Sequence, residues 1–213
     1  MEEIKPGNYY GLVRNDVLEL LPKNLNHILD LGCGEGNTGY QAKLLSGAQV
    51  VGIEVQKNAY EAAKKRLDKV ILGDIEALKL DFPDGYFDCI ICADVFEHLK
   101  NPWAVLDKIK IKLSSDGKIL ASFPNIQYIS VVLKILRNRF DYEECGILDN
   151  THLRFFTLYT IKKFFIEHGF ELINIKENRN RGWKMNIFNL FTLGLLRKFS
   201  VTQYIVLAQK MPN

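Results

Sequence analysis

Residues 28–36 read Ile-Leu-Asp-Leu-Gly-Cys-Gly-Glu-Gly, and this stretch decides the fold of the chain. An apolar run of strand length, which starts at His27, leads into three glycines, and a helical pattern follows from Tyr40 to Leu45. Glycines let a backbone approach a ligand because they carry no Cβ atom. The stretch therefore predicts a buried strand, a turn that accepts a nucleotide-like ligand, and a helix.

Outside this stretch, apolar runs of strand length alternate with segments of helical period, which predicts a parallel sheet covered by helices on both faces. Asn101 before Pro102 predicts a helix start, Thr157 predicts a second one, and Gly169 predicts where that second helix ends. We expect one α/β domain over residues 1–213 with a doubly wound, seven-stranded sheet, and cap insertions at about 125–156 and 178–203. The predicted strands are His27–Leu31, Gln49–Glu54, Lys69–Gly73, Phe87–Val95, Lys118–Phe123, Phe170–Lys176 and Tyr204–Lys210.

The composition is that of a water-soluble globular domain, with 47% hydrophobic and 25% charged residues. The net charge of +3 is too small to predict a nucleic-acid partner. Four cysteines are too few for a disulfide framework, and Met1–Gly7 does not resemble a signal peptide, so we expect a cytoplasmic protein. The uncharged run Met185–Leu196 is shorter than the roughly 20 residues of a membrane span. It predicts a sheet-edge or dimer segment, or alternatively a helix that contacts a membrane surface.

The glycine-rich turn alone leaves two ligand classes open. Gly34, Gly36 and Gly39 satisfy the G-x-G-x-x-G pattern of dinucleotide-binding folds, and Glu54 follows at the distance typical of a ribose ligand. Asp30, however, stands two residues before the first glycine, where a carboxylate repels a pyrophosphate and attracts an ammonium group. The turn therefore favours a ligand with an amino-acid moiety over NAD.

Four motifs in order resemble the class I S-adenosylmethionine-dependent methyltransferases. They are Asp30-x-Gly32-x-Gly34-x-Gly36, the strand Val50–Glu54, Gly73-Asp74-Ile75, and the strand Phe87–Asp94. The resemblance implies strand order 3-2-1-4-5-7-6 with the last strand antiparallel, and S-adenosylmethionine as cofactor. It also implies that Glu54 takes both ribose hydroxyls, that Asp74 takes the adenine amino group, and that Asp94 lies near the methionine end. The residues it implies for the cofactor are Asp30, Gly32, Cys33, Gly34, Gly36, Glu54, Val55, Asp74, Ile75 and Asp94.

Transfer of a methyl group to a hydroxyl needs a base, and the candidates are His98 and His152. Asp94-Val-Phe-Glu97-His98 also resembles the metal-binding element of some O-methyltransferases, including those of small-RNA 3′ ends and ubiquinone biosynthesis, with His152 as a further ligand. Because Asp94 is assigned to the cofactor, we expect no metal.

Residues 140–157 are similar to a group of bacterial methyltransferases often associated with glycosyltransferases and implicated in surface-glycan modification. Asn125, Tyr142, Asp149 and Arg154 are the predicted substrate-binding residues, since aromatic and hydrogen-bonding groups suit a polar acceptor. The resemblance favours O-methylation of a small or glycan-linked acceptor. Three alternatives stay open: His152 and Arg154 only anchor the cap, the chain is an NAD-dependent oxidoreductase, or it binds the cofactor without catalysis.

Overall fold

The computed structural model describes residues 11–179 and 196–212, which contain seven strands and six α-helices. The strands are β1 (His27–Leu31), β2 (Gln49–Glu54), β3 (Lys69–Leu72), β4 (Phe87–Ala93), β5 (Leu113–Pro124), β6 (Phe170–Arg179) and β7 (Val201–Lys210). The helices are α1 (Asn15–Leu18), α2 (Asn37–Ser46), α3 (Lys57–Ala63), α4 (Pro102–Lys112), α5 (Ile129–Leu136) and α6 (Leu158–Glu167). Short 3₁₀ turns occupy Phe96–His98 and Arg197–Ser200.

The strands form a single sheet in the order β3-β2-β1-β4-β5-β7-β6. β1 pairs in parallel with β2 and β4, whereas β7 pairs antiparallel with both β5 and β6. The predicted fold class and strand order are therefore confirmed. The order reverses between β1 and β4, so the loops at the carboxyl ends of these two strands enclose a crevice.

The sheet buries a hydrophobic layer on each face because successive side chains of a strand point to opposite sides. Leu29 and Leu31 of β1 face the larger layer, which is rich in phenylalanine and packs under α4 and α6. Ile28 faces the smaller layer, which contains Val17 of α1 and Ala42 of α2. Asp30 shares a face with Ile28, and this alternation directs its carboxylate toward α2.

The predicted ends of two helices are confirmed by their caps. The Asn101 side chain accepts a hydrogen bond from the Ala104 N–H at 3.1 Å, with Pro102 in the first turn of α4. Thr157 and Thr160 form a reciprocal capping box at the start of α6. β5 begins at Leu113, five residues before the predicted start at Lys118, and directly follows the end of α4 at Lys112.

The two predicted insertions differ in what the structure describes. Residues 125–156 contain α5 and a series of turns, and this segment, which we call the cap, docks on the 3₁₀ turn after β4. The Leu153 and Arg154 N–H groups both donate to the Glu97 carbonyl, at 2.8 and 3.0 Å.

The predicted insertion 178–203 is shorter at both ends, since β6 continues to Arg179 and β7 begins at Val201. Most of Met185–Leu196 lies outside the described residues, and within them no helix is long and apolar enough to cross a membrane.

Candidate functional site

The turn between β1 and α2 has the backbone that its glycines predict. Gly32, Gly34 and Gly36 have φ values of 67°, 55° and 81°, in the left-handed region that glycine adopts without strain. A Cβ atom on Gly32 would lie 2.9 Å from a methyl group of Val95, so the turn runs close to the end of β4. Gly36 is not among the residues that line the crevice and packs toward Ala63 of α3, and its contact with the cofactor stays a prediction.

A cavity of about 460 Å³ opens at the carboxyl ends of β1, β2 and β4. Nine of the ten predicted cofactor residues line it: Asp30, Gly32, Cys33, Gly34, Glu54, Val55, Asp74, Ile75 and Asp94. His98 lines the same cavity, together with Arg14, Lys100 and Thr151. The structure thus brings the predicted cofactor residues and one predicted base into one site.

Glu54 is fixed at the end of β2 by backbone donors. The Gly34 N–H donates to Oε2 at 2.8 Å and the Gln56 N–H donates to Oε1 at 2.7 Å. The residue is buried, yet it faces the cavity. A carboxylate offers about four lone-pair sites, so each oxygen keeps one for a hydroxyl donor. This geometry fits the expected pair of ribose hydroxyls.

Asp30 is a buried acid that faces the cavity, with a solvent-exposed fraction of 2%. Burial raises the pKa of its carboxyl to about 7, although the Gly39 N–H favours the charged form, and the nearby charge of Glu54 raises the pKa further. Among the described residues, Oδ2 has no hydrogen-bond partner. A buried carboxylate is costly, and an ammonium group in the cavity that Asp30 lines would offset the cost of its charge. The residues present therefore fit the amino-acid end of S-adenosylmethionine.

The loop after β3 forms the opposite wall of the cavity. Ile75 is buried, Asp74 is exposed, and both line the cavity next to the exposed side chain of Val55. Oδ1 of Asp74 accepts a hydrogen bond from the Glu76 N–H at 2.8 Å, which fixes the direction of the carboxylate. An apolar wall beside an oriented acceptor suits a flat base with an amino group.

Asp94 is the centre of a polar network at the end of β4. Its carboxylate pairs with Arg14 and accepts hydrogen bonds from Ser122 at 2.8 Å and from Gln203. Asp94 also has a positive φ of 55°, a conformation that costs energy in residues other than glycine. Arg14 links the segment before α1 to this network, so it closes one side of the cavity.

Glu97 is buried next to the cavity, with an exposed fraction of 1%. Neither carboxylate oxygen has a hydrogen-bond partner among the described residues. Burial raises the pKa of Glu97 well above its usual value, and the charge of Asp94 raises it further. Glu97, His98 and His152 each direct one ligand atom into a common space, with these atoms within 4.8 Å of one another. Asp94 is not part of this group, in contrast to the set that the sequence spacing indicated.

The cap orients His98. Thr151 lies beside the ring, with its hydroxyl oxygen 3.0 Å from Nδ1, and this hydroxyl donates to Asp149 at 2.6 Å. A hydroxyl that donates to Asp149 can accept from Nδ1–H, and in that tautomer of a neutral His98 the lone pair is on Nε2. His152 is fixed in the same way, since its Nδ1 lies 3.0 Å from the carbonyl oxygen of Ile147. The two histidine rings are 4.8 Å apart.

The four predicted substrate residues are not among those that line the cavity. Asn125 is fully buried and donates to the carbonyls of Lys198 and Val201, so it anchors the cap instead of facing an acceptor. Asp149 is buried behind Thr151. Tyr142 is exposed against Phe140, and the Arg154 guanidinium lies over the Trp103 ring and donates to the Lys100 carbonyl at the cavity rim.

Sequence reasoning missed Thr151 as the partner of His98, and Ser122 and Gln203 as the partners of Asp94. These contacts join residues 53, 28 and 109 positions apart. No local spacing or periodicity indicates such pairs. Only the sheet order, which places β7 beside β5, points to Gln203.

Comparisons with known proteins agree with the fold. Residues 29–121 match a family model described as a methyltransferase domain. The (S)-coclaurine N-methyltransferase of Thalictrum flavum subsp. glaucum is 34% identical over 101 residues, which cover 45% of this chain and 28% of that protein. The mitochondrial ubiquinone biosynthesis O-methyltransferase of Schizosaccharomyces pombe is 32% identical over 101 residues, 45% of this chain and 36% of that protein. The chain thus spans less than half the length of these curated relatives.

Solved structures extend the agreement over nearly the whole chain. An S-adenosylmethionine-dependent methyltransferase from Archaeoglobus fulgidus has a TM-score of 0.69 at 18% identity, covering 92% of this chain and 90% of that one. The [4+2]-cyclase SpnF has a TM-score of 0.63 at 15% identity, covering 93% and 80%. At these identities the likeness shows the fold alone, and a fold does not fix an activity. The chain therefore has the fold of S-adenosylmethionine-dependent methyltransferases, and residues 29–121 match a methyltransferase domain.

Proposed function

We propose that this protein methylates a hydroxyl oxygen of a small or glycan-linked acceptor. The observation that carries the proposal is the position of His98, which lines the cavity and whose Nδ1 lies 3.0 Å from the Thr151 hydroxyl oxygen. Bound S-adenosylmethionine supplies an electrophilic methyl group on a sulfonium. As the new O–C bond forms and the S–C bond breaks, the hydroxyl proton goes to Nε2 of His98.

The cap residues support His98 as the base. Asp149 accepts the proton of the Thr151 hydroxyl, and that hydroxyl accepts from Nδ1–H of His98. Two successive hydrogen bonds hold the ring in one tautomer, as the orienting group of a catalytic base does. An amine acceptor in its neutral form has less need of such a base. Oxygen is therefore favoured, although relatives named as N-methyltransferases and as O-methyltransferases both match.

A divalent cation is a second means of activating a hydroxyl at the same place. Glu97, His98 and His152 offer one carboxylate and two imidazole ligands, and the Nδ1 of His152 faces a backbone carbonyl, as is usual for metal-bound histidines. A cation would also offset the burial of the Glu97 carboxylate. The expectation of no metal stays a prediction, and chelation tests it.

The acceptor class rests on the cap. Residues 140–157 are similar to methyltransferases associated with glycosyltransferases, and Tyr142 and Arg154 expose an aromatic ring and a guanidinium on the cap. These groups suit a hydroxyl-rich acceptor such as a sugar. A cytoplasmic location is proposed on the four free cysteines. Contact with a membrane surface and the absence of a nucleic-acid partner remain predictions.

The test measures transfer of labelled methyl groups to cell-envelope extracts separated into lipid-linked glycan, small-molecule, protein and nucleic-acid fractions. We expect label in a glycan or small-molecule fraction, held in an alkali-stable ether. Label in an alkali-labile ester would indicate a carboxyl acceptor and would contradict hydroxyl methylation. Label confined to nucleic acid or protein would also contradict the proposal.

The matched variants are His98→Gln and His168→Gln. His168 pairs with Asp107 on the outer surface and does not line the cavity. We expect His98→Gln to lower turnover about 100-fold or more while S-adenosylhomocysteine affinity stays within about threefold, and His168→Gln to leave both unchanged. Loss of turnover on chelation, with recovery on adding Mg²⁺ or Mn²⁺, would favour the cation over the base.

A further inference from the structure

Lys108 of α4 is bound to the loop that follows β3. Its ammonium donates to three carbonyl oxygens of that loop: Ile75 at 2.7 Å, Leu78 at 3.0 Å and Glu76 at 3.2 Å. These contacts use all three donors of the ammonium group. Lys108 is partly buried and does not line the cavity. Any effect of Lys108 on a ligand in the cavity is therefore indirect, through the loop.

A second set of bonds ties the same loop to the start of α4. The Glu76 carboxylate accepts from the Lys100 N–H at 3.1 Å and from the Asn101 N–H at 2.8 Å. Asp74, which lines the cavity, directly precedes the attached residues Ile75 and Glu76. Hydrogen bonds to the backbone carbonyls of the loop and to the side chain of Glu76 therefore hold the loop against α4.

We propose that Lys108 is a positioning residue that sets the selectivity of the cavity for adenine. The inference rests on the proposed cofactor site, in which Asp74 accepts from the amino group of the base. A carboxylate discriminates the exocyclic amino group of adenine from the carbonyl oxygen that replaces it in hypoxanthine, because it attracts the donor and repels the acceptor, and both effects depend on a fixed direction. Lys108 fixes that direction through the carbonyls of the two residues that follow Asp74.

The same helix provides a matched control. Lys112, one turn further along α4, donates to the Phe82 carbonyl at 2.9 Å and to Asp84 at 2.7 Å. Neither of these loop residues lines the cavity. Lys112→Met therefore removes comparable hydrogen bonds between a lysine and a loop, but this loop does not contact the proposed adenine site.

The experiment measures the affinities of S-adenosylhomocysteine and S-inosylhomocysteine by calorimetry and competition for the wild type, Lys108→Met, Lys108→Arg and Lys112→Met. We expect Lys108→Met to weaken S-adenosylhomocysteine about tenfold, as one hydrogen-bond interaction would, and to leave S-inosylhomocysteine within about twofold. The preference for adenine then falls about tenfold. Lys108→Arg should restore most of it, and Lys112→Met should keep the wild-type preference.

Equal weakening of both ligands by Lys108→Met would mean that Lys108 only stabilises the fold, and unchanged affinities would also overturn the inference. If Lys108→Met does not fold, Glu76→Gln replaces it in the same comparison, since Glu76 holds the loop from the other side. Failure of the wild type to bind either ligand would instead refute the cofactor site of the proposed function.

Discussion

Replacing Asp30 by asparagine is expected to stabilise the protein while weakening its cofactor binding. The carboxylate is buried among apolar residues of the sheet, and its Oδ2 atom has no hydrogen-bond partner among the described residues. Asparagine has nearly the same shape and no charge. The substitution therefore removes a charge that costs the folded state free energy.

The magnitude follows from the pKa of Asp30, which burial raises from 3.8 to about 7. At about 1.4 kcal/mol for each pKa unit, this difference corresponds to about 4 kcal/mol. Below about pH 4 both the folded and the unfolded states carry the proton, so Asp30→Asn changes little. Between about pH 4 and pH 7 the unfolded state releases its proton first, and the stability of the wild type falls. Above about pH 7 the full difference is present.

Cofactor binding should change in the opposite direction. An ionised Asp30 attracts the ammonium group of the cofactor, and a charge-assisted contact of this kind contributes about 1.5–3 kcal/mol. We therefore expect Asp30→Asn to weaken S-adenosylhomocysteine about 10- to 100-fold at pH 7.5. The wild type should bind more weakly as the pH falls below 7, because Asp30 becomes protonated, and the variant should lose this dependence.

Urea unfolding at pH 4.5 and pH 8, with calorimetry at pH 6 and pH 7.5, measures both effects. Asp68→Asn is the control of opposite sign, since the hydrogen bond with Lys43 lowers the pKa of Asp68 despite slight burial. That variant should lose stability at pH 8 and bind the cofactor normally. If Asp30→Asn unfolds at the same or lower urea concentration than the wild type at pH 8, the charge of Asp30 carries no cost and the reasoning is wrong.

Two further substitutions test the walls of the cavity. Glu54→Gln places an amide donor against the N–H of Gly34 or the N–H of Gln56, so we expect S-adenosylhomocysteine affinity measured by calorimetry to fall about 100-fold. A change under about threefold would contradict the role of Glu54. Gly52→Ala adds a methyl group 2.7 Å from the Cys33 sulfur, and such overpacking should lower the free energy of unfolding by about 1–3 kcal/mol in urea denaturation. An unchanged midpoint would show that the glycine-rich turn adapts freely.

The cofactor half of the site could be predicted from sequence because its residues lie at the ends of neighbouring parallel strands. Asp30 precedes the glycines of β1 by a fixed spacing, and Glu54 ends β2, which pairs with β1 in register. Asp74 follows β3 in the same way. Strand ends in a parallel sheet meet at one edge, so local motifs are sufficient to assemble these groups.

The acceptor half depends on how the cap docks, and sequence patterns do not determine docking. Asn125 carries the polar side chain expected of a substrate ligand, yet it is buried as an anchor, while Thr151, which was not predicted, orients His98. Thr151 lies beside His98 where the neighbouring cap residues Leu153 and Arg154 bind the carbonyl of Glu97. The family match ends at residue 121, before the cap begins at 125. The matched segment contains the proposed cofactor residues, whereas Thr151, the partner of the proposed base, lies in the cap. Local motifs therefore predict the cofactor, and the acceptor requires experiment.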